Sequence, residues 1–257
     1  MVETRENRRV AVAEVELRDG ERIDDLECSG LKIIQDPKRF CFGMDAVLLS
    51  GFAKVPEGGE VVDYCTGTGI IPILMSAKTK AKHFTCVELQ PESADMANRS
   101  ILLNDLQERL TLVEANLLDA ASFIPAGSMD VVTVNPPYLK EGSGIVNPSS
   151  AKAIARHELS CSLMDILQES ARALKSGGHF YMVHRPFRLA EILSSMQKVH
   201  LEPKRIRFVY PRVDAEPVML LVEGMKGAGS GMVVEKPLII YDENGQYTKE
   251  LKEDYKY

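Results

Sequence analysis

The sequence lacks the features of a membrane or secreted protein. No stretch approaches the roughly eighteen consecutive apolar residues of a membrane span, and the basic start, MVETRENRRV, is not followed by an apolar run. We therefore expect no transmembrane helix and no signal peptide, and a cytoplasmic location. The five cysteines show no CxxC spacing and have no histidine cluster beside them, which disfavours a disulfide framework and a zinc site, so no metal is expected.

Basic charge is also scarce. The chain has 31 Lys and Arg against 37 Asp and Glu, a net charge of −6, which argues against broad binding of polyanions. The stretch from His184 to Arg212 differs, because it contains seven basic residues and only two acidic ones. Such a local basic stripe suits contact with a limited piece of nucleic acid, although a solvated helix and strand would look the same. The candidate contacts are Arg185, Arg188, Lys204, Arg205 and Arg207.

What the chain does contain, from Glu60 onward, is an alternation of short apolar strands and helical segments. In chain order these are strand EVVDYC, helix IIPILMSAK, strand HFTCVE, helix PESADMANRSILLND, strands RLTLVEA and MDVVTV, helix CSLMDILQESARALK ending at Gly177 and Gly178, strand HFYMVH, helix RLAEILSSMQKV, and strands KRIRFVYP and EPVMLLVEG. The pattern predicts an α/β fold with a largely parallel sheet covered by helices on both faces. No helix fits between the last two strands, so we expect these to be antiparallel.

The remaining segments suggest three parts of the chain. Residues 1–58 are predicted to form a small N-terminal annex, with a hairpin turn at Asp19 and Gly20, a strand LKIIQ and a helix after Gly43. Residues 59–225 form the α/β domain. Residues 226–257 are expected to be a polar C-terminal tail, joined through the flexible KGAGSG and containing a marginal hairpin in LIIYDENGQYT.

The first chemical motif is DYCTGTG, from Asp63 to Gly69, between the first strand of the alternation and its helix. Glycines at such a turn let the backbone approach a ligand closely, because no Cβ is in the way. A dinucleotide fingerprint requires a third glycine where this chain has Pro72. The motif therefore favours a nucleoside-type ligand without a phosphate.

Two further candidates stand at the ends of the next strands. Glu88 ends the second strand, where a carboxylate can accept hydrogen bonds from a ribose diol, and the adjacent Leu89 can pack under a purine ring. After the third strand, Asn116 or Asp119 can contact an adenine edge. Either residue can equally serve as the N-cap of the following segment.

The fourth motif is NPPY, Asn135 to Tyr138, directly after the strand MDVVTV. Two prolines end a strand because they cannot donate ladder hydrogen bonds. The Asn135 side-chain carbonyl and the Pro136 backbone carbonyl are then two rigid acceptors, suited to both hydrogens of an exocyclic amino group. Tyr138 can stack on a flat base. The catalytic candidates are Asn135, Pro136, Pro137 and Tyr138.

The order of these motifs resembles the Rossmann-like class I methyltransferases that use S-adenosylmethionine and modify an amino nitrogen. The segments FCFGMDAVLL, HRPFRLAEIL and PLIIYDENGQYT extend the match over nearly the whole chain. With them, the sequence resembles the bacterial tRNA1(Val) adenine-N(6)-methyltransferase family. This resemblance implies a seven-stranded, mostly parallel sheet with an antiparallel last strand.

The resemblance also implies roles for single residues. The turn residues Asp63, Cys65, Thr66, Gly67 and Gly69 would hold the methionine and ribose parts of the cofactor. Glu88 would bind the ribose hydroxyls, with Leu89 beside it, and Asn116 would meet the adenine, where related enzymes usually carry Asp. Asn135 to Tyr138 would hold the target base next to the cofactor. Phe40 and Phe42 would help to close the pocket, or serve as core aromatics.

The expected function is methyl transfer from S-adenosylmethionine to the amino group of an adenine in RNA, with a valine tRNA as partner. The sequence leaves alternatives open. Protein-glutamine N(5)-methyltransferases and enzymes that methylate DNA adenine or ribosomal guanine also use NPPY. A non-catalytic RNA-binding protein is disfavoured by the intact motifs, and a dehydrogenase is disfavoured by Pro72. The sequence does not indicate an oligomeric state.

Overall fold

The computed structural model describes residues 15–39, 41–137 and 161–254. The strands are β1 Arg22–Asp25, β2 Lys32–Gln35, β3 Glu60–Tyr64, β4 His83–Glu88, β5 Leu110–Glu114, β6 Met129–Val134, β7 Leu174–His184, β8 Leu201–Tyr210, β9 Met219–Lys226, β10 Val233–Val234 and β11 Leu238–Ile239. The α-helices are α1 Met44–Phe52, α2 Ile70–Lys78, α3 Pro91–Leu103, α4 Leu163–Ala173, α5 Leu189–Lys198 and α6 Lys249–Asp254. Short 3-10 helices span Leu117–Ser122 and Pro186–Arg188. No helix among these residues is long and apolar enough to cross a membrane.

The main sheet has the order β10-β8-β9-β7-β6-β3-β4-β5, and β11 also pairs with β8. Neighbours among β3 to β7 are parallel, whereas β9 is antiparallel to both β7 and β8. This confirms the predicted sheet of strands β3 to β9 with its antiparallel last strand. Within the described residues the sheet has nine strands rather than seven, because β10 and β11 from the C-terminal segment add to the β8 edge.

Apolar residues alternate along the central strands and form one core on each face. Val61 and Val131 face the core beneath α1, α2 and α3, whereas Val62 and Val132 face the core beneath α4 and α5. Burial on both faces explains why these strands read as continuous apolar runs. It also confirms that helices cover the sheet on both sides.

The helix before β7 is shorter than the sequence predicted. It begins with a capping box formed by Ser162 and Asp165, and it ends at Ala173. Strand β7 already begins at Leu174, and its pairing with β6 shifts register before His179. Gly177, with φ of 77°, lies in this irregular stretch. The glycine pair that the sequence analysis took as the end of the helix is therefore an irregularity inside the strand.

The N-terminal segment is a two-stranded antiparallel sheet, β1 and β2, followed by α1. The chain turns at Asp19 and Gly20, but residues 15–18 form no strand. The predicted hairpin turn at that position was therefore wrong, and the hairpin turns between β1 and β2 instead. This sheet is attached to α3, because the Ile34 N–H donates to Ser100 Oγ at 2.9 Å.

The C-terminal segment packs on the main sheet. Besides the pairing of β10 and β11 with β8, the side chains of Leu238, Ile240 and Leu251 are buried. The predicted hairpin appears as a single antiparallel bridge between Tyr241 and Tyr247. Although polar overall, this segment therefore contributes to the core of the α/β domain. The predicted domain limits at residues 59 and 226 stay predictions.

Two arginines of the predicted basic stripe lie inside the protein. Arg205 and Arg207 are two residues apart on β8, so both side chains lie on the same face, which α1 and the C-terminal segment cover. Arg205 pairs with Glu223 and Glu235, and its guanidinium lies 3.8 Å from the centre of the Phe52 ring. Arg207 pairs with Glu250 and donates to the Lys236 carbonyl. These two arginines therefore stabilise the fold, contrary to the nucleic-acid role predicted for them.

Removal of the Arg205 charge is expected to destabilise the protein. Burial raises the pKa of Glu223, but hydrogen bonds from His179 and Arg205 lower it to about 2. Arg205→Met keeps an apolar side chain near Phe52 and leaves Glu223 with one charged partner fewer. We expect it to lower the free energy of unfolding at pH 7 by about 3 kcal/mol, measured by urea denaturation.

The pH dependence and a neighbouring residue provide the controls. Because the pKa of Glu223 is lower in the folded protein, its stabilisation is complete above about pH 4.5 and is lost as the pH falls toward 2. The difference between Arg205→Met and the unaltered protein should shrink over that range. Lys204→Met changes the adjacent residue, whose Nζ donates to the Gly229 carbonyl. Equal losses for both variants would contradict the structural role of Arg205.

Candidate active site

The candidate residues meet along one edge of the sheet. Strands β3 to β7 are parallel, so their carboxyl ends lie on the same side. After β3 the chain proceeds outward to β4 and β5, and it then returns to place β6 on the other side of β3. Such a reversal of strand order opens a crevice at the carboxyl ends, which is where α/β sheets bind ligands. The motif turn follows β3 and Asn135 follows β6, on the two sides of this crevice.

The turn between β3 and α2 uses left-handed backbone at three positions. Cys65, Gly67 and Gly69 have φ values of 57°, 59° and 83°. A Cβ on Gly69 would lie 3.4 Å from the Ala97 Cβ, so this glycine allows α3 to pack closely. A Cβ on Gly67 would meet no atom within 4 Å. The space beside Gly67 is therefore open to a ligand, as the motif predicted.

Asp63 supports the turn from below. Its side chain is fully buried, and its two carboxylate oxygens accept hydrogen bonds from Thr66 Oγ1 at 2.6 Å and Thr133 Oγ1 at 2.5 Å. Burial raises the pKa of Asp63 to about 7, against the opposing effect of the two hydroxyl donors. These contacts join β3, the turn and β6. They assign Asp63 and Thr66 to holding the turn in place, behind the surface that a ligand would touch.

Glu88 holds the same turn from the side. Its Oε2 accepts from the Gly67 N–H and its Oε1 from the Gln90 N–H, both at 2.8 Å. The side chain is almost fully buried, at 3% exposure. A buried carboxylate needs such partners, because an ion without them is strongly destabilised. The acid predicted to bind a ribose thus lies directly against the glycine turn.

A pocket lies beside Glu88, with about 290 Å³ of space that includes its opening to solvent. Its lining consists of Cys65, Val87, Glu88, Leu89, Ala115, Asn116, Leu117 and Cys161. Asn116 caps the following 3-10 helix, since its Oδ1 accepts from the Leu118 N–H at 3.0 Å. Both interpretations of Asn116, as a cap and as a pocket residue, therefore agree with its position. Asp119, the alternative, is exposed and is not part of this lining.

The two pocket cysteines are neutral thiols. Burial raises the pKa of Cys65 well above its usual value and that of Cys161 to about 12. Since the thiolate is the reactive form, neither is prepared for nucleophilic attack. Among the described residues, no three His, Cys, Asp or Glu side chains are grouped as metal ligands.

One buried hydroxyl in the turn is unsatisfied. Within the described part of the chain, Thr68 Oγ1 is the buried side-chain oxygen or nitrogen atom that has no hydrogen-bond partner. A buried polar atom of this kind normally has a partner, and its absence needs an explanation. Thr68 lies between Gly67 and Gly69, and it is not part of the lining of the pocket beside Glu88.

Asn135 lies at the carboxyl end of β6 and is half-buried. Its Nδ2 donates to Asp45 Oδ2 at 3.2 Å. Asp45 belongs to the first turn of α1, so the N-terminal segment reaches the candidate site. No role for Asp45 could be predicted, since nothing in FCFGMDAVLL indicates a partner ninety residues away along the chain. Pro136 and Pro137 follow Asn135 as expected, and Tyr138 and Phe40 lie outside the described residues.

The candidate RNA contacts do not form one surface. Arg205 and Arg207 are internal, and Arg188 pairs with Glu191. Lys204 lies six residues before the carboxyl end of β8, roughly 20 Å along the strand. Arg185 directly follows β7 and is exposed, so it lies at the edge that carries the site. Of the five bases, Arg185 is therefore the one that the fold places best for contact with a ligand at this edge.

Known proteins share this architecture. The methyltransferase small domain model matches residues 38–203, which include the turn after β3, Glu88 and Asn135. The chain belongs to the methyltransferase small domain family. A protein named tRNA1(Val) (adenine(37)-N6)-methyltransferase from Histophilus somni (strain 129Pt) is 28% identical over 221 residues, 86% of this chain and 90% of that protein.

Two solved structures resemble this methyltransferase in fold. A predicted O-methyltransferase of Agrobacterium tumefaciens, protein Atu636, has a TM-score of 0.67 at 22% identity, covering 83% of this chain and 96% of that one. The geranyl diphosphate C-methyltransferase of Streptomyces coelicolor A3(2) has a TM-score of 0.53 at 15% identity, covering 71% and 79%. These similarities confirm the predicted Rossmann-like class I methyltransferase fold.

Asp63 is expected to make the stability of this methyltransferase depend on pH. Because its pKa in the folded protein is raised from 3.8 to about 7, its stabilising contribution is complete below about pH 4 and is lost as the pH rises through 7. Asp63→Asn removes this titration. The unfolding free energy of the variant, relative to the unaltered protein, should therefore rise between pH 4 and 8, on the order of 3 kcal/mol.

The comparison with the unaltered protein is needed because His184 acts in the opposite direction. Burial and the charge of Arg188 lower the pKa of His184 to about 4. Titration of His184 therefore raises the unfolding free energy as the pH rises. The difference between the two proteins removes this contribution. A difference that stays constant from pH 4 to 8 would contradict the proton uptake assigned to Asp63.

Proposed function

We propose that this protein transfers the methyl group of S-adenosylmethionine to the exocyclic amino nitrogen of an adenine in tRNA, the adenosine 3′ of the anticodon in a valine tRNA. The observation that carries the proposal is the position of Asn135, Pro136 and Pro137 at the end of β6, across the crevice from the glycine turn. Hydrogen-bond acceptors for an amine and a site for a nucleoside thus lie at the same edge of the sheet. A tRNA substrate also implies the cytoplasm as the place of action.

The pocket suits the nucleoside part of S-adenosylmethionine. Glu88 would accept hydrogen bonds from both ribose hydroxyls through the remaining lone pairs of its carboxylate, while it keeps its bonds to Gly67 and Gln90. Leu89 and Leu117 offer apolar contact to the adenine, beside Asn116. Gly67 leaves room for the ligand. Among the described residues, the pocket lining contains no Lys or Arg for a phosphate, in agreement with a ligand that lacks one.

S-adenosylmethionine supplies a methyl group already activated on a sulfonium, so the protein needs no nucleophile of its own. The side chain of Asn135 and the backbone carbonyl of Pro136 would each accept one hydrogen of the target amine and direct its lone pair toward the methyl group. The same acceptors would stabilise the positive charge that develops on the nitrogen. Tyr138 would stack on the base, and the protonated thiols of Cys65 and Cys161 would take no part.

The choice of tRNA rests on the name of the Histophilus somni relative, which matches most of this chain. A base within a folded RNA must be turned out of its loop to reach such a pocket. Arg185, exposed beside the end of β7, is the proposed contact for the RNA backbone near the site. Residues 1–9, with Arg5, Arg8 and Arg9, lie outside the described part of the chain and remain candidates from the sequence.

Replacement of Glu88 should weaken cofactor binding. Glu88→Gln removes the charge from the hydrogen bonds to the ribose, and we expect the dissociation constant for S-adenosylmethionine to rise about 10- to 100-fold. Isothermal titration calorimetry measures this directly. Glu114→Gln is the matched control, because Glu114 pairs with Glu88 in register on β5 and is exposed. A Glu88 variant that binds as tightly as the Glu114 variant would disprove the ribose role.

The proposed function is tested by incubating the purified protein with radiolabelled S-adenosylmethionine and tRNA from cells that lack the modification. After digestion, we expect the label in N(6)-methyladenosine from a valine tRNA. Asn135→Ala should abolish transfer, because the amine loses one of its acceptors, while calorimetry shows unchanged cofactor binding. Label in a co-incubated release factor and none in RNA would overturn the proposal in favour of glutamine methylation. Full activity of Asn135→Ala would refute the role of that residue.

A further inference from the structure

The side-chain amide of Asn135 can adopt two orientations, related by a rotation of about 180°, and only one of them suits the proposed role. An amide group is planar, and its oxygen and nitrogen ends have nearly the same size and shape. With the oxygen toward a target amine, Asn135 accepts a hydrogen bond. With the nitrogen toward the amine, two donors would face each other. Packing alone distinguishes these orientations poorly, so a polar neighbour has to select one of them.

The structure contains such a neighbour in Asp45. Its Oδ2 lies 3.2 Å from Asn135 Nδ2. A carboxylate can only accept hydrogen bonds, so it pairs with the nitrogen end of the amide and disfavours the opposite orientation. The carbonyl oxygen, at the opposite end of the planar amide, is thereby directed away from Asp45. The contact with this acceptor-only group therefore favours the orientation in which the nitrogen of Asn135 faces Asp45.

Asp45 is itself fixed by local contacts. Its Oδ1 accepts from the Ala46 N–H at 2.9 Å, at the start of α1. Gly43 makes room for this carboxylate, because a Cβ at that position would lie 2.7 Å from Asp45 Oδ1. Since φ at Gly43 is −106°, a value any residue adopts, the glycine is required by space and not by backbone conformation. Residue 43 therefore determines whether Asp45 can hold its position.

The annex sheet holds the chain just before Gly43. The Phe42 N–H donates to Gln35 Oε1 at 2.8 Å, and Gln35 Nε2 donates to Asp24 Oδ2 at 2.5 Å. Gln35 is buried, at 2% exposure. Asp24 therefore fixes the orientation of the Gln35 amide in the same way as Asp45 fixes that of Asn135. Through these bonds β1 and β2 determine where α1 begins, and with it the position of Asp45.

We propose that Asp45 is a positioning residue for the methyl transfer, because its carboxylate holds the Asn135 amide with the carbonyl oxygen toward the target amine. This inference rests on the proposed function, and it adds the N-terminal segment to the site. Asp45 acts through Asn135, so it affects the chemical step. It does not serve to hold the cofactor or the RNA.

Four variants test this role. Asp45→Ala removes the acceptor, and Asp45→Asn keeps one carbonyl acceptor of the same shape. Gly43→Ala should displace the Asp45 carboxylate without changing that residue. Gly229→Ala is the matched glycine control, because a Cβ there meets nothing within 4 Å and its backbone is not left-handed. Because Asp45→Ala and Gly43→Ala disturb the same contact with Asn135 in different ways, the test remains valid if one of them folds poorly.

The first readout separates kcat from binding. With saturating tRNA and S-adenosylmethionine, we expect Asp45→Ala to lower kcat about 10- to 100-fold. Without Asp45, the Asn135 carbonyl is no longer held where it accepts a hydrogen bond from the amine that becomes charged. KM for tRNA and the dissociation constant for the cofactor should stay unchanged. Asp45→Asn should recover part of the rate, Gly43→Ala should lower kcat, and Gly229→Ala should not. A change in KM alone, or no recovery by Asn relative to Ala, would overturn the proposal.

The second readout needs no activity. In nitrogen-15-labelled protein without ligands, the side-chain amide signal of Asn135 is assigned by its absence in Asn135→Ala. We expect Asp45→Ala and Gly43→Ala to shift this signal and to speed exchange of its protons with water, and Gly229→Ala to leave it in place. An unchanged Asn135 signal in Asp45→Ala would overturn the inference. Failure of the unaltered protein to methylate tRNA would instead count against the proposed function, and this measurement would still decide the role of Asp45.

Discussion

The site depends on the way two buried carboxylates hold the turn between β3 and α2. Asp63 binds the turn from below through Thr66 and also reaches Thr133 on β6. Glu88 binds the Gly67 N–H from the neighbouring strand β4. Of the three left-handed residues in this turn, Cys65 is the one that is not a glycine, so its backbone is strained and contacts from the surrounding strands help to hold it. The same contacts place the open face of Gly67 toward the crevice.

The two sides of the crevice are supported by different parts of the chain. The nucleoside side is built by β3, β4 and β5, which follow one another in sequence. The amine side is built by the end of β6 together with α1, and α1 is in turn held by the N-terminal hairpin. Helix α1 also contacts β8, because the Arg205 guanidinium donates to the Phe52 carbonyl and lies over the Phe52 ring. The N-terminal segment is therefore attached both to the candidate site and to the main sheet.

The sheet, its antiparallel last strand and the position of each motif could be predicted from the sequence, because apolar periodicity and glycine turns are local signals. Arg205 and Arg207 could not be assigned, since their partners Glu223 and Glu250 lie at 18 and 43 residues' distance along the chain. The end of α4 was misplaced because the glycine pair at 177 and 178 signals a helix end and a strand irregularity equally well. Asp45 carries no sequence signal, because its significance comes from its contact with the Asn135 amide, ninety residues away along the chain.

The central claim is that the carboxyl edge of β3, β4 and β6 forms one site for S-adenosylmethionine and an amine. The most direct measurement is a crystal structure of the protein with S-adenosylhomocysteine. The account predicts that the ligand lies over Gly67, that Glu88 contacts both ribose hydroxyls, and that Asn135 lies beside the sulfur with its nitrogen still on Asp45. A ligand bound elsewhere, or a Glu88 that does not touch the ribose, would contradict it.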